Sequence, residues 1–145
     1  MKKMLFMTLL ALMAMAGSVC AAVPDYYTDC VTSSERYTGA IIDCRGLHLS
    51  RCMSPVIMNS RGTKLYGHKN LDREQINRYG MAGYVRSFHD PKLARAGDNP
   101  VVFKAIGTRS HGTYPVLDEE DGKLLEYSDS ISHYMRRCAV VFVID

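Results

Sequence analysis

Cys-Ala-Val-Val-Phe-Val-Ile, residues 138–144, is apolar at every position and stops one residue short of the end of the chain. A strand with one wet face alternates apolar and polar side chains. A strand without that alternation is covered on both faces, as in the middle of a sheet with layers on either side. The run therefore predicts a C-terminal strand at the centre of a sheet. Just before it, Ile131, Tyr134 and Met135 fall at i, i+3 and i+4 on one apolar stripe. They predict a helix capped by Ser128, with Arg136 and Arg137 suited to the negative end of its dipole. Asp118 and Asp121 begin a weaker helical stretch, because Gly122 inside it costs about 1 kcal/mol relative to alanine.

Earlier segments alternate between strand and helix signals. Residues 39–43 (Gly-Ala-Ile-Ile-Asp) form a short apolar run closed by Arg45-Gly46, a strand followed by a turn. Residues 56–58 and 63–66 flank Asn59-Ser60-Arg61-Gly62 and predict a β-hairpin in which Gly62 takes positive φ. Asp72, with Gln75 three residues on, predicts a capping box at the start of a helix that Gly80 ends, with Ile76 and Tyr79 on one face. A strand is expected over 82–86. Asp90-Pro91 opens a short helix that Gly97 ends, and residues 101–106 (Val-Val-Phe-Lys-Ala-Ile) predict a buried strand. The order of elements implies an α+β fold, or a mixed α/β one. Three to four short helices would pack on a small mixed sheet with the C-terminal strand central. Residues 39–145 are expected to form a single domain, preceded by an extended arm over 23–38.

The N-terminus reads as a secretory leader. Lys2 and Lys3 precede an apolar run over 4–16 broken only by Thr8, and small residues follow through Ala22. That is a signal peptide over 1–22, too short to span a ~30 Å hydrocarbon layer. Lys2 and Lys3 also supply two of the three net positive charges, so bulk charge does not argue for nucleic acid. The exported chain is expected to be periplasmic or secreted, with outer-membrane association open to it and no transmembrane helix after cleavage. A lipid anchor at Cys20 is the competing outcome. The residues before it, Gly17-Ser18-Val19, lack the leucine of a lipobox and fit it less well than the small-x-small rule fits cleavage after Ala22.

Cys30, Cys44, Cys52 and Cys138 remain after cleavage. An even count in an exported domain is consistent with disulfides, and four cysteines allow three pairings; buried free thiols are the other reading. Their spacings resemble no zinc pattern. No two of His48, His68, His89, His111 and His133 stand at a metal-ligand spacing. The loop at 108–113 holds Ser110, His111 and Arg109 between two strands and is the most enzyme-like segment. Adjacent residues on an extended chain point apart, however, and no Gly-x-Ser-x-Gly elbow is present. The carboxylates of 118–121 are consecutive, not alternating as in an EF-hand, and acidic residues are expected at a helix start from the dipole alone. Gly80-Met-Ala-Gly83 lacks the lysine of a phosphate loop. No catalytic residue, cofactor or metal is assigned. Arg45, Arg51 and Arg61, near the first strand and the hairpin, are the candidate surface for an anionic partner.

Several segments, in order, carry a family resemblance: Tyr-Thr-Gly-Ala-Ile-Ile-Asp-Cys-Arg-Gly-Leu-His-Leu at 37–49, Met-Ser-Pro-Val-Ile at 53–57, Gly-Thr-Lys-Leu-Tyr-Gly at 62–67, Gly-Met-Ala-Gly-Tyr-Val-Arg at 80–86, Gly-Asp-Asn-Pro-Val-Val-Phe-Lys-Ala at 97–105, and the closing residues 138–145. Together they resemble a domain of bacterial envelope proteins, some of them lipoproteins related to those that assist flagellar assembly at the outer membrane. The resemblance covers 37–145 and implies a non-catalytic envelope domain in a diderm bacterium. The chain departs from it in its poor lipobox and in lacking the upstream domain of longer relatives. Three functions follow as expectations. The first is an exported domain that binds another envelope component, through a sheet edge or the region from Arg45 to Gly67. The second is a small secreted hydrolase centred on His111, and the third a soluble binder of a small anionic ligand.

Overall fold

The computed structural model describes residues 36–67 and 69–145. The leader, the arm from 23 to 35, Cys20, Cys30 and His68 lie outside the described residues. Along the rest run β1 (Gly39–Asp43), β2 (Ile57–Asn59), β3 (Lys64–Tyr66), α1 (Arg73–Tyr79), β4 (Gly83–Val85), a 3-10 helix (Pro91–Ala96), β5 (Pro100–Lys104), β6 (Gly107–Arg109), β7 (Tyr114–Leu117), α2 (Glu119–Ser132) and β8 (Val140–Val143). The fold is α+β. Its strands are divided between two four-stranded sheets, where the sequence pattern suggested one. The first sheet has the order β4-β8-β1-β5 with every pair parallel. The second has the order β3-β2-β7-β6, with a parallel pair at its centre and antiparallel pairs outside it.

The apolar C-terminal run explains the layering. β8 is central and buried at all four positions. Val140 and Phe142 face the main core together with Ala40 and Ile42 of β1, Ile57 and Leu117 of the second sheet, and Leu124 and Leu125 of α2. Val141 and Val143 face the opposite way and meet Ile41, Val85 and Ala96, with Leu93 packed beside them. The 3-10 helix covers that second face, over β4, β8 and β1. Gly39 lets it approach: a Cβ there would collide with the carbonyl oxygens of Ala96 and Ala139 and stand 2.7 Å from the Ala96 Cα.

Helix starts follow the capping residues. Asp72 accepts from the Glu74 and Gln75 amides, Asp90 from Lys92, and Asp118 from Asp121. The capping box at Asp72 is half made, because the Asp72 N–H donates to the Arg136 carbonyl 2.9 Å away. Ser128 is not a cap. One helix runs from Glu119 to Ser132 straight through Gly122 and Ser128. Gly122 is tolerated because α2 lies against the second sheet, where a Cβ would come within 3.2 Å of Leu65 and 3.4 Å of Asn59. The Ser128 hydroxyl donates to the Leu125 carbonyl at 3.0 Å and lies 2.7 Å from the Tyr134 hydroxyl. Tyr134 and Met135 come after the helix, which ends in the left-handed conformation of His133. The expected buried strand over 101–106 is an edge strand instead. Val101, Phe103 and Ala105 face the core, while Val102 is 54% exposed and Ile106 55%.

Candidate functional site

Parallel strands place their carboxyl ends along one rim of the sheet, where α/β proteins tend to gather functional groups. Here the rim carries Asp43 at the end of β1, Lys104 opposite it in register on β5, and Asp145 just beyond β8. Asp43 is a buried carboxylate, 7% exposed. Its Oδ1 accepts from Arg45 Nε at 2.9 Å and from the Arg45 amide at 3.1 Å. Its Oδ2 accepts from Arg45 Nη2 at 3.0 Å and from Lys104 Nζ at 3.4 Å. The side-chain bonds from Arg45 outweigh the cost of burial and hold the Asp43 pKa down at about 2. The Arg45 guanidinium lies 4.8 Å above the Phe88 ring. Asp145 accepts from the Gly46 amide at 2.8 Å and the His48 amide at 3.2 Å, and these bonds lower its pKa. The two carboxylates thus clasp the loop after β1 from both sides.

Further along that loop, the Arg51 guanidinium stands 5.9 Å from the Tyr84 ring, which packs on Phe142 with centroids 5.3 Å apart. The Tyr84 hydroxyl accepts from the Cys52 amide at 3.2 Å and donates to the Cys52 carbonyl at 3.3 Å. Burial pushes the Tyr84 phenol up. Arg45 therefore lies at the rim of the parallel sheet, and Arg51 stands over the Tyr84 ring of its edge strand β4. Arg61 does not join them: it sits in the β2–β3 hairpin of the second sheet, 2.6 Å from Glu119 at the start of α2.

A general acid or base near neutral pH needs a proton it can give or take there. Asp43 stays ionised, so the rim cluster is built to hold a loop in place. Among the described residues Cys44, Cys52 and Cys138 form no disulfide with one another. Burial drives the Cys44 thiol up to about 12, which leaves it protonated and unreactive at neutral pH. Ser110 and His111 occupy the β6–β7 turn, both with left-handed backbone (φ 53° and 57°) and both exposed. Among the described residues no carboxylate lies within ion-pair reach of the His111 ring, and no group of three His, Cys, Asp or Glu side chains could hold a metal ion. The acidic run at 118–121 serves the start of α2: Asp118 caps it and Glu119 holds Arg61.

A feature that sequence reading missed lies at the far edge of the parallel sheet. Arg95 of the 3-10 helix donates to three carbonyls: Cys138 at 2.9 Å, Tyr79 at 2.6 Å and Gly80 at 2.6 Å. It thereby closes the C-terminus of α1 and ties it to the turn before β8. Beside it a groove of about 480 Å³ runs along β4, lined by Gln75, Tyr79, Tyr84, Lys92, Arg95 and Arg137 as well as Gly83. The sequence held a partial signal in Lys92 and Arg95, spaced three apart on one helical turn, but nothing local brings Arg137 to them.

No curated protein matches the chain. The family model described as Treponema pallidum Tp0624, second domain, matches residues 39–145, from the first residue of β1 to the last of the chain. The matched span takes in both sheets, the rim cluster and the β4 groove, and the chain belongs to this Tp0624 second-domain family.

Proposed function

We propose that the protein is an exported, non-catalytic domain of the cell envelope that works by binding another envelope component. The observation that carries this reading is the pair of open edges on the parallel sheet. Among the described residues β5 pairs only with β1, and β4 only with β8. An unpaired strand presents a row of amide and carbonyl groups that a partner strand can take up. Val102 and Ile106, exposed on either side of Lys104, give the β5 edge an apolar surface to bury with it. The commitment of Asp43 to Arg45 and Lys104 supports a structural use for the rim charges, and Arg51 stacked on Tyr84 extends the surface beside them.

The finer reading has residues 1–22 removed on export, leaving the protein periplasmic, secreted or associated with the outer membrane, and soluble unless Cys20 carries lipid. It also counts the protein among components related to flagellar assembly. The test is a photo-crosslinking side chain at Val102, Arg51 or Arg86 in the full chain, expressed in a diderm bacterium. The expected result is a mature protein starting at Val23 in the envelope fraction, with a discrete crosslinked product from at least one of these positions. A protein retained in the cytosol with residues 1–22 attached, or no product from any position, would overturn the proposal.

A further inference from the structure

We infer that the β4 edge is the docking strand, and that it takes an extended acidic segment of a partner protein added to the parallel sheet beside β4. The inference rests on the partner-binding reading above and deepens it. In a β-strand the N–H and C=O of one residue point to the same side, and successive residues alternate. The Val85 carbonyl accepts from the Ile144 amide at 2.8 Å, so Val85 turns toward β8. Tyr84 therefore turns its amide and carbonyl away from β8, toward the groove. Its phenol is fixed on the Cys52 loop and its ring on Phe142, so its backbone is presented by a side chain that is already held.

Charge selects the partner. Lys92, Arg95 and Arg137 line the groove, and among the described residues no carboxylate lines it with them. Among the described residues none of the three has a carboxylate in ion-pair reach. Arg95 spends its donors on backbone carbonyls, which orient the guanidinium without neutralising it. Gly83 sets the depth of the groove on that side, since a Cβ there would stand 3.3 Å from the Arg95 side chain. Tyr79, 63% exposed, forms an aromatic rim. An added strand would place alternate side chains on the two faces of the sheet. Acidic ones would meet Lys92 and Arg95, and apolar ones between them would lie toward Tyr84. Basic side chains also protect sheet edges from unwanted pairing. Pure protection predicts no affinity for any strand, whereas a docking site predicts affinity for an acidic one.

The experiment measures binding of a fluorescent peptide of alternating Glu and Val to the purified full-length protein, with a Lys-Val peptide and free phosphate as controls. The Glu-Val peptide is expected to bind, to weaken as salt is raised, and to weaken at least about fivefold in each of the exposed-site variants Lys92→Glu and Arg137→Glu. Amide exchange at Tyr84 is expected to slow on binding, with Gly83 and Val85 little changed. The inference is overturned by no binding, by equal binding of the Lys-Val peptide, by displacement with phosphate alone, or by binding that leaves Tyr84 exchange unchanged. It is also overturned if Tyr84 is protected without peptide as protein concentration rises, because a second copy of the chain then occupies the edge. Crosslinks from Val102 or Arg51 to an envelope protein would leave the broader proposal standing even if the peptide fails.

Discussion

Asp43 is the residue whose chemistry can be followed most directly from charge to stability. Its carboxyl has a pKa of about 2 in the folded protein against its ordinary 3.8, chiefly because Arg45 donates to both oxygens. A carboxyl with a depressed folded-state pKa stabilises the fold fully above its unfolded value and loses that contribution as pH falls toward the folded value. The window here runs from about pH 4 down to about pH 2. Arg45 and Lys104 are half or more exposed, so solvent screening trims the gain to about 1–2 kcal/mol. Asp43→Asn should therefore lower the urea-unfolding free energy by that amount at pH 7, and most of the difference from the parent should be gone at pH 2. A constant difference at both pH values would mean that packing, not charge, sets the effect. Tyr134 makes a contrasting, neutral case. It is fully buried, and its hydroxyl is bound to Ser128 Oγ at 2.7 Å and the Leu125 carbonyl at 3.3 Å. Tyr134→Phe should cost about 1–2 kcal/mol by leaving those groups short of a partner. Ser128→Ala should cost less when Tyr134 is already Phe than when it is not, as a double-mutant cycle would read.

The junction of the 3-10 helix with the sheet depends on one missing side chain among the elements. Gly39 starts β1 beneath Ala96 and beside Ala139, and the atoms a Cβ would strike there are backbone, which cannot rotate aside. Gly39→Ala should cost about 3 kcal/mol, and it should loosen the 3-10 helix first, seen as faster amide exchange over 91–97. The elements that sequence reading located are those whose signals are local. Asp72, Asp90 and Asp118 mark helix starts, Gly80 and Gly97 mark helix ends, and the unbroken apolar run at 138–144 marks a strand with two covered faces. Its errors lie where a packing partner decides. Gly122 interrupts a helix by propensity, yet it lets α2 close on Leu65 and Asn59. Ser128 resembles a cap until Tyr134 folds back to take its hydroxyl. Residues 101–106 look buried throughout, but the 3-10 helix packs over β4, β8 and β1, and Val102 is left exposed at the edge. The candidate site was legible only in part for the same reason. Arg45, Arg51 and Arg61 stand out in the sequence by their nearness to the first strand and the hairpin, but Arg61 pairs with Glu119 away from the other two, and the groove at β4 gathers residues from α1, the 3-10 helix and the turn before β8, which no single stretch of chain reveals.

The described fold is closed by the meeting of its first and last strands. β1 begins the described fold and β8 completes it, and the two are paired at the centre of the parallel sheet, with β4 joined to that sheet only through β8. Pairing across so long a loop must wait for the chain in between to be made and collapsed, so folding should be slow for a chain of this size, in the millisecond-to-second range by stopped-flow. It also makes the last residues indispensable. Val140, Val141, Phe142, Val143 and Ile144 are each at most 5% exposed. Each buried side chain of this kind contributes about 1.5–3 kcal/mol, so together they are comparable to the ~5–15 kcal/mol that keeps a typical domain folded. Deleting residues 138–145 should abolish the cooperative unfolding transition, and the product should lose near-ultraviolet circular dichroism and bind a hydrophobic dye. Removing Asp145 alone takes away only its contacts with the Gly46 and His48 backbone and the His48 ring, and should keep the transition cooperative. A chain without residues 138–145 that still melted cooperatively would show that β1 and β5, with the second sheet, form a stable core of their own, and the central place given to β8 would then be wrong.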